Sequence, residues 1–86
     1  MGKEKRGQVV RSIAGHDQGG FFTVLRIEAP YAVLCDGKRR PLERPKRKKF
    51  FHLAPTRTVL EEDSLQTNKR IRAGLHPFNY GDGSRG

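Results

Sequence analysis

Tryptophan is absent from this 86-residue chain, cysteine and methionine occur once each, and acidic residues number 9 against 18 basic ones. Each shortage excludes something. The single cysteine, Cys35, rules out an internal disulfide framework and fits a reducing compartment. The longest apolar run, residues 31–35, is far shorter than the ~20 residues a membrane span needs. The charged start MGKEKRGQ is followed by no apolar stretch, so no signal peptide is expected and the chain reads as soluble and cytoplasmic. His16, His52 and His76 lie far apart, and with one cysteine they give no metal-ligand spacing. No Ser/His/Asp or Cys/His spacing stands out either, although such triads are spatial arrangements. Cys35, on an apolar strand, reads as a small buried hydrophobe and not as a nucleophile. No enzyme activity, no cofactor and no metal are expected. One domain of this size buries only about 60–65% of the surface of its unfolded chain, which leaves little room for a deep cleft.

What the chain has in excess is positive charge, with a formal net charge of +9 and a pI near 10.5. A domain pI above about 9 with grouped Lys and Arg is the footprint of a nucleic-acid binder. An anionic membrane would instead favour an amphipathic helix with Trp, Phe or Leu along one face. Here there is no Trp, and Pro41 and Pro45 interrupt the basic stretch. Eight of the 18 basic residues, Lys38, Arg39, Arg40, Arg44, Lys46, Arg47, Lys48 and Lys49, fall between positions 38 and 49, opposed only by Glu43. Packed so closely they repel one another, and a polyanion relieves that repulsion while releasing its own counterions. A charge run kept only for solubility would mix signs. The two prolines stiffen the connection and are expected to hold the cations outward. A nuclear localisation signal is a further reading of PKRKK, and it requires a eukaryotic host.

Along the chain, residues 1–6 read as a flexible start and residues 7–14, GQVVRSIA, as a first strand. A glycine-rich loop follows at 15–20, with Asp17 as turn former. Residues 21–28 make a second strand closed by Pro30, and 31–35 a third. Asp36-Gly37 predicts a type I′ hairpin, in which both turn residues need positive φ. It leads into a short edge strand at 38–42 that carries Pro41. A fifth strand is expected at 50–53, and residues 57–60, after Pro55, have the composition to add a last one. Five short strands with tight turns predict a mainly β fold, a small barrel over residues 7–60. Residues 61–76 then form a linker and a short helix capped by Thr67, running from Asn68 to about Leu75 and presenting Ile71 and Leu75 on one face. Arg70 at the third helical position means there is no capping box. Pro77 is expected to stop the helix, and residues 77–86 to form a disordered tail.

The glycine loop lacks the Gly-Lys-Ser/Thr end of a P-loop and joins two strands, so its reading is close approach to a phosphate–sugar backbone or a plain hairpin loop. His16 is its clearest candidate contact. Phe21-Phe22 and Phe50-Phe51 are adjacent pairs, so within a strand one member of each points outward. The outward member either stacks on an unpaired base beside Lys48 and Lys49 or packs under the helix; packing is the expectation.

GQVVRSIAGHDQGGFFTVLRIE resembles the KOW motif, and YAVLCDGKRRPLERPKRKKFFHL continues it. Together residues 7–53 resemble small KOW-domain RNA-binding proteins related to large-subunit ribosomal proteins of archaea and eukaryotes. LQTNKRIRAGL is a weaker echo over the helix. The resemblance implies a five-stranded SH3-like barrel that binds ribosomal or other structured RNA. It places Gly15, Asp17 and Gly19 on the motif loop, and Lys46, Lys48, Lys49 and His52 in the basic signature. Many such loops carry Lys or Arg where this chain has His16, Gln18 and Gly20, so more of the affinity must come from residues 38–49. The expected RNA-binding set is completed by Arg11, Lys38, Arg39, Arg40, Arg44 and Arg47. The expected partners are RNA and the ribosome, with no membrane, and the chain reads as a monomer. The alternative is a protein-interaction module of the transcription or translation machinery, using Phe21, Tyr31 and Phe51.

Overall fold

A computed structural model describes residues 5–80. Five strands, β1 (Gln8–Ser12), β2 (Phe21–Glu28), β3 (Tyr31–Cys35), β4 (Lys46–Lys49) and β5 (Leu53–Val59), precede one helix, α1 (Asn68–Asn79). All strand pairs are antiparallel and their order is β4-β3-β2-β1-β5, so β4 and β5 are the two edges. A single 3₁₀ turn, Phe50–His52, joins those edges in sequence, and another, Glu62–Leu65, leads toward the helix. The described strands form an open sheet and not a closed ring of pairings.

Alternation along the strands sends apolar side chains to both faces. Val9, Leu25, Val33 and Cys35 meet Leu65, Ile71 and Leu75 on the face that α1 covers. Val10, Phe22, Val24, Ala32, Leu34 and Leu53 form a second cluster on the opposite face, closed in part by Phe50. A strand buried on both faces reads as a continuous apolar run, which is why YAVLC carries no polar alternation. The ladder shifts register between Val24 and Arg26, and past that irregularity Arg26 and Ile27 turn to solvent.

Several sequence expectations need correction. Asp36-Gly37 is not a type I′ turn, because Gly37 has φ +78° while Asp36, like every other non-glycine among the described residues, does not have positive φ. The Asp36 carboxylate instead accepts bonds from the amides of Lys38 (2.8 Å) and Arg40 (2.9 Å), which opens the turn into the loop 36–45. Residues 38–42 therefore form no strand. Pro41 brings no amide to a ladder, and the Leu42 amide donates to Asn68 Oδ1 at 2.8 Å. The edge strand is KRKK itself, expected as a stiff connection. Its neighbour Phe50–His52 is a 3₁₀ turn where a strand was expected.

β5 runs through Pro55, where a break was expected. As an edge strand it pairs only with β1, and the ladder is irregular between Gln8 and Val10, where Thr56 Oγ1 donates to the Val9 carbonyl. The helix caps as expected, with Thr67 Oγ1 accepting from the Arg70 amide at 3.1 Å, and Ile71 and Leu75 are buried. It continues past Pro77 to Asn79. Tertiary contacts hold the extra turn: Phe78 packs 5.3 Å from Phe21, and Asn79 Oδ1 accepts from the Phe21 amide. Arg6, within the stretch expected to be flexible, is likewise anchored, to Glu62 and to the Leu25 carbonyl. Residues 1–4 and 81–86 lie outside the described residues, and with them the rest of the expected flexible start and tail.

Candidate nucleic-acid interface

The basic segment folds as a loop and then a strand, and the helix fixes the loop. Arg72 donates to the Gly37 carbonyl at 2.8 Å, while Asn68 accepts from the Leu42 amide and donates to Glu43. At Gly37 a side chain is excluded twice, by the positive φ and by the Asn68 carbonyl oxygen, which a Cβ would strike. That glycine lets the helix N-terminus sit against the loop.

Strand pairing then divides the cations of β4. Lys46 and Lys48 stand opposite Leu34 and Ala32, and Arg47 and Lys49 opposite Val33 and Tyr31. Directly opposed residues share a face, so one run of like charge is presented on two sides. The expected single rim is thereby split.

On the first side lies Asp17, whose side chain is only 7% exposed. Lys46 Nζ approaches its Oδ2 to 2.6 Å, with Arg40 and Lys48 each at 3.9 Å. Burial pushes the Asp17 carboxyl up, but Lys46, assisted by Arg40 and Lys48, outweighs it and holds the group below its ordinary value. Lys48 is itself 8% exposed and passes beneath Gly15. Asp17, Arg40, Lys46 and Lys48 are thus brought together as a charge cluster in which Asp17 and Lys48 are buried and Arg40 and Lys46 stay partly exposed. Its acid was expected at the ligand surface and sits among cations instead.

On the second side the Arg47 guanidinium lies 4.5 Å from the centre of the Tyr31 ring, and Lys49 Nζ lies 6.0 Å from it. Arg47 also pairs with Glu28 at 3.5 Å. His52 follows on the 3₁₀ turn, half-buried, its carbonyl accepting from the Ile13 amide.

The remaining candidates are exposed. Among the described residues, Arg11, Lys38, Arg39, Arg44 and Lys49 pair with no carboxylate. Gly15, His16 and Gly19 are exposed on the β1–β2 loop, and a Cβ on Gly19 would meet nothing within 4 Å. This loop and the basic loop face each other across a cleft of about 290 Å³ whose lining includes His16, Gln18, Lys38, Arg39, Asn79 and Tyr80. Beside it a groove of about 1100 Å³ follows α1, lined by Lys38, Lys69, Arg72, His76 and Tyr80 among others.

Sequence reasoning missed the helix contribution, since Lys69, Arg72 and His76 reach that groove only through the docking of α1. The i, i+3 and i, i+4 spacing of these residues was the available signal. It also missed the cation–aromatic contacts of Tyr31. The arrangement offers fixed cations, open loop backbone and aromatic faces, the groups that hold a phosphate-linked chain. No protein-family model matches the chain, and no curated protein matches it at a significant level.

Proposed function

We propose that this protein is an RNA-binding module of the KOW class, an SH3-like barrel by fold, acting with the ribosome or the translation apparatus. The observation that carries the reading is the loop 36–45 together with β4, where Lys38, Arg39, Arg44 and Lys49 stand exposed and free of carboxylate partners among the described residues. Such cations neutralise phosphates and displace condensed counterions. The sequence resemblance over residues 7–53 supports RNA as the polyanion, and the uncovered Gly19 supports close approach of the ligand to the loop backbone. Arg40, Lys46 and Lys48 act from beneath, as a charge cluster that shapes the loops.

The protein-interaction reading needs an aromatic surface. Phe21 is packed on Phe78 and Tyr31 lies under Arg47, which leaves Phe51 as its exposed member.

The deciding experiment is a salt titration of binding to a structured RNA. Changing Lys38, Arg39, Arg44 and Lys49 together to Ala is expected to weaken binding and flatten the dependence of log K on log salt by about 0.7–0.9 for each phosphate that is no longer neutralised. An unchanged slope and affinity would overturn the assignment.

A further inference from the structure

Phe51 is 70% exposed, the most exposed of the large hydrophobic side chains in the described residues. Its position is fixed by its neighbours. Phe50 enters the second apolar cluster and its amide donates to the Pro30 carbonyl at 3.0 Å; the Leu53 amide closes the turn on the Phe50 carbonyl, and Leu53 is buried. The 3₁₀ geometry leaves the Phe51 ring pointing away from both. Nothing in that framework requires an aromatic group at 51, and exposing one forgoes about 1.5–3 kcal/mol of burial.

Polar and charged groups frame the ring. Lys49 Nζ lies 5.8 Å from its centre, and the His52 ring stands edge-on at 4.6 Å and 80°. Lys49 also reaches toward Tyr31, which Arg47 covers at 4.5 Å. A protein-docking hot spot would set such a ring in an apolar surround that excludes water. Here cations and aromatics alternate, which matches the alternating phosphates and bases of a polynucleotide strand.

We propose that Phe51 is a stacking site for an unpaired nucleobase, with Lys49 and Arg47 holding the adjoining phosphates. The inference rests on the RNA-binding reading and narrows its ligand class to RNA with a single-stranded loop, bulge or end. Bases inside a duplex are stacked on both faces and cannot offer one to a side chain.

The test measures binding of the full chain to an RNA hairpin with an unpaired loop and to a blunt, fully paired RNA duplex. Phe51→Ala is expected to lower hairpin affinity roughly 5- to 100-fold, the loss of one base–aromatic stack, with duplex affinity unchanged. Phe51→Trp, which introduces the chain's single tryptophan, is expected to retain hairpin binding and lose indole fluorescence when the loop RNA is added. Equal affinity of wild type and Phe51→Ala for the hairpin, or an equal loss on both RNAs, overturns the stacking site and leaves the RNA-binding reading standing. Failure of the wild type to bind either RNA overturns both. A fluorescence change that depends on protein concentration, with no RNA present, assigns the ring to contact with a second copy and also overturns the site.

Discussion

The two sides of β4 carry the same chemistry in sequence and do different work in the structure. Lys46 and Lys48 turn toward a buried carboxylate, so their charge is largely spent inside the protein. Arg47 and Lys49, one residue out of phase, lie over Tyr31 and stay exposed, Arg47 sharing an exposed ion pair with Glu28 and Lys49 pairing with no carboxylate among the described residues. A run of four cations is therefore not one electrostatic object once it becomes a strand. The pleat sorts it into a pair that organises the fold and a pair that can meet a ligand.

Replacing Asp17 with Ala should have the largest effect. Removing one partner from a buried charge cluster leaves the others uncompensated, at a cost of about 3–5 kcal/mol when burial is complete. Lys46 keeps 28% exposure, so about 2–3 kcal/mol is expected, read as a drop in the thermal unfolding midpoint. An unaltered midpoint would mean that the two sides of β4 do not differ in the way described.

Acid provides a second probe of the same side. The folded carboxyl of Asp17 is held below its ordinary value, chiefly because Lys46 and its companions overcome the opposing effect of burial. Its stabilisation is then complete above the unfolded value of about 4 and is lost as pH falls through the lower, folded value. Chemical denaturation between roughly pH 2 and pH 5 should show this loss in the wild type and a flatter profile in Asp17→Asn.

The smallest effect on stability is expected from the outer side. Arg47→Ala combined with Lys49→Ala should change folding by about 0.5 kcal/mol or less while weakening the RNA binding proposed above. Cys35 supplies the readout. Burial pushes its thiol up to about 11, so the native protein should resist alkylation at pH 8 and react when it opens. Labelling should accelerate strongly in Asp17→Ala and stay within about twofold of the wild-type rate in the outer double variant.

The elements that could be read from sequence are those governed by local rules. Phe21–Glu28 and Tyr31–Cys35 are dense in apolar and β-branched residues, and Thr67 caps the helix by a bond three residues away. The helix reaches Asn79 and not Leu75 because contacts with Phe21, distant in sequence, outweigh the interruption at Pro77. KRKK has weak strand preference, and it became an edge strand where Asp17, roughly thirty positions away, offers a counter-charge. The candidate site was visible as a concentration of charge in residues 38–49. Its partition was invisible, since pairing register and the burial of Asp17 are properties of the assembled sheet.

The fastening of loop 36–45 by Asn68 and Arg72 makes the final arrangement of the proposed binding surface a late event in the life of the chain. The cationic loop is synthesised before its clamp, and it takes its final shape only when the closing helix has been made and docked. A nascent chain stopped short of residue 68 would carry every cation of the 38–49 stretch and still lack the means to set them in place.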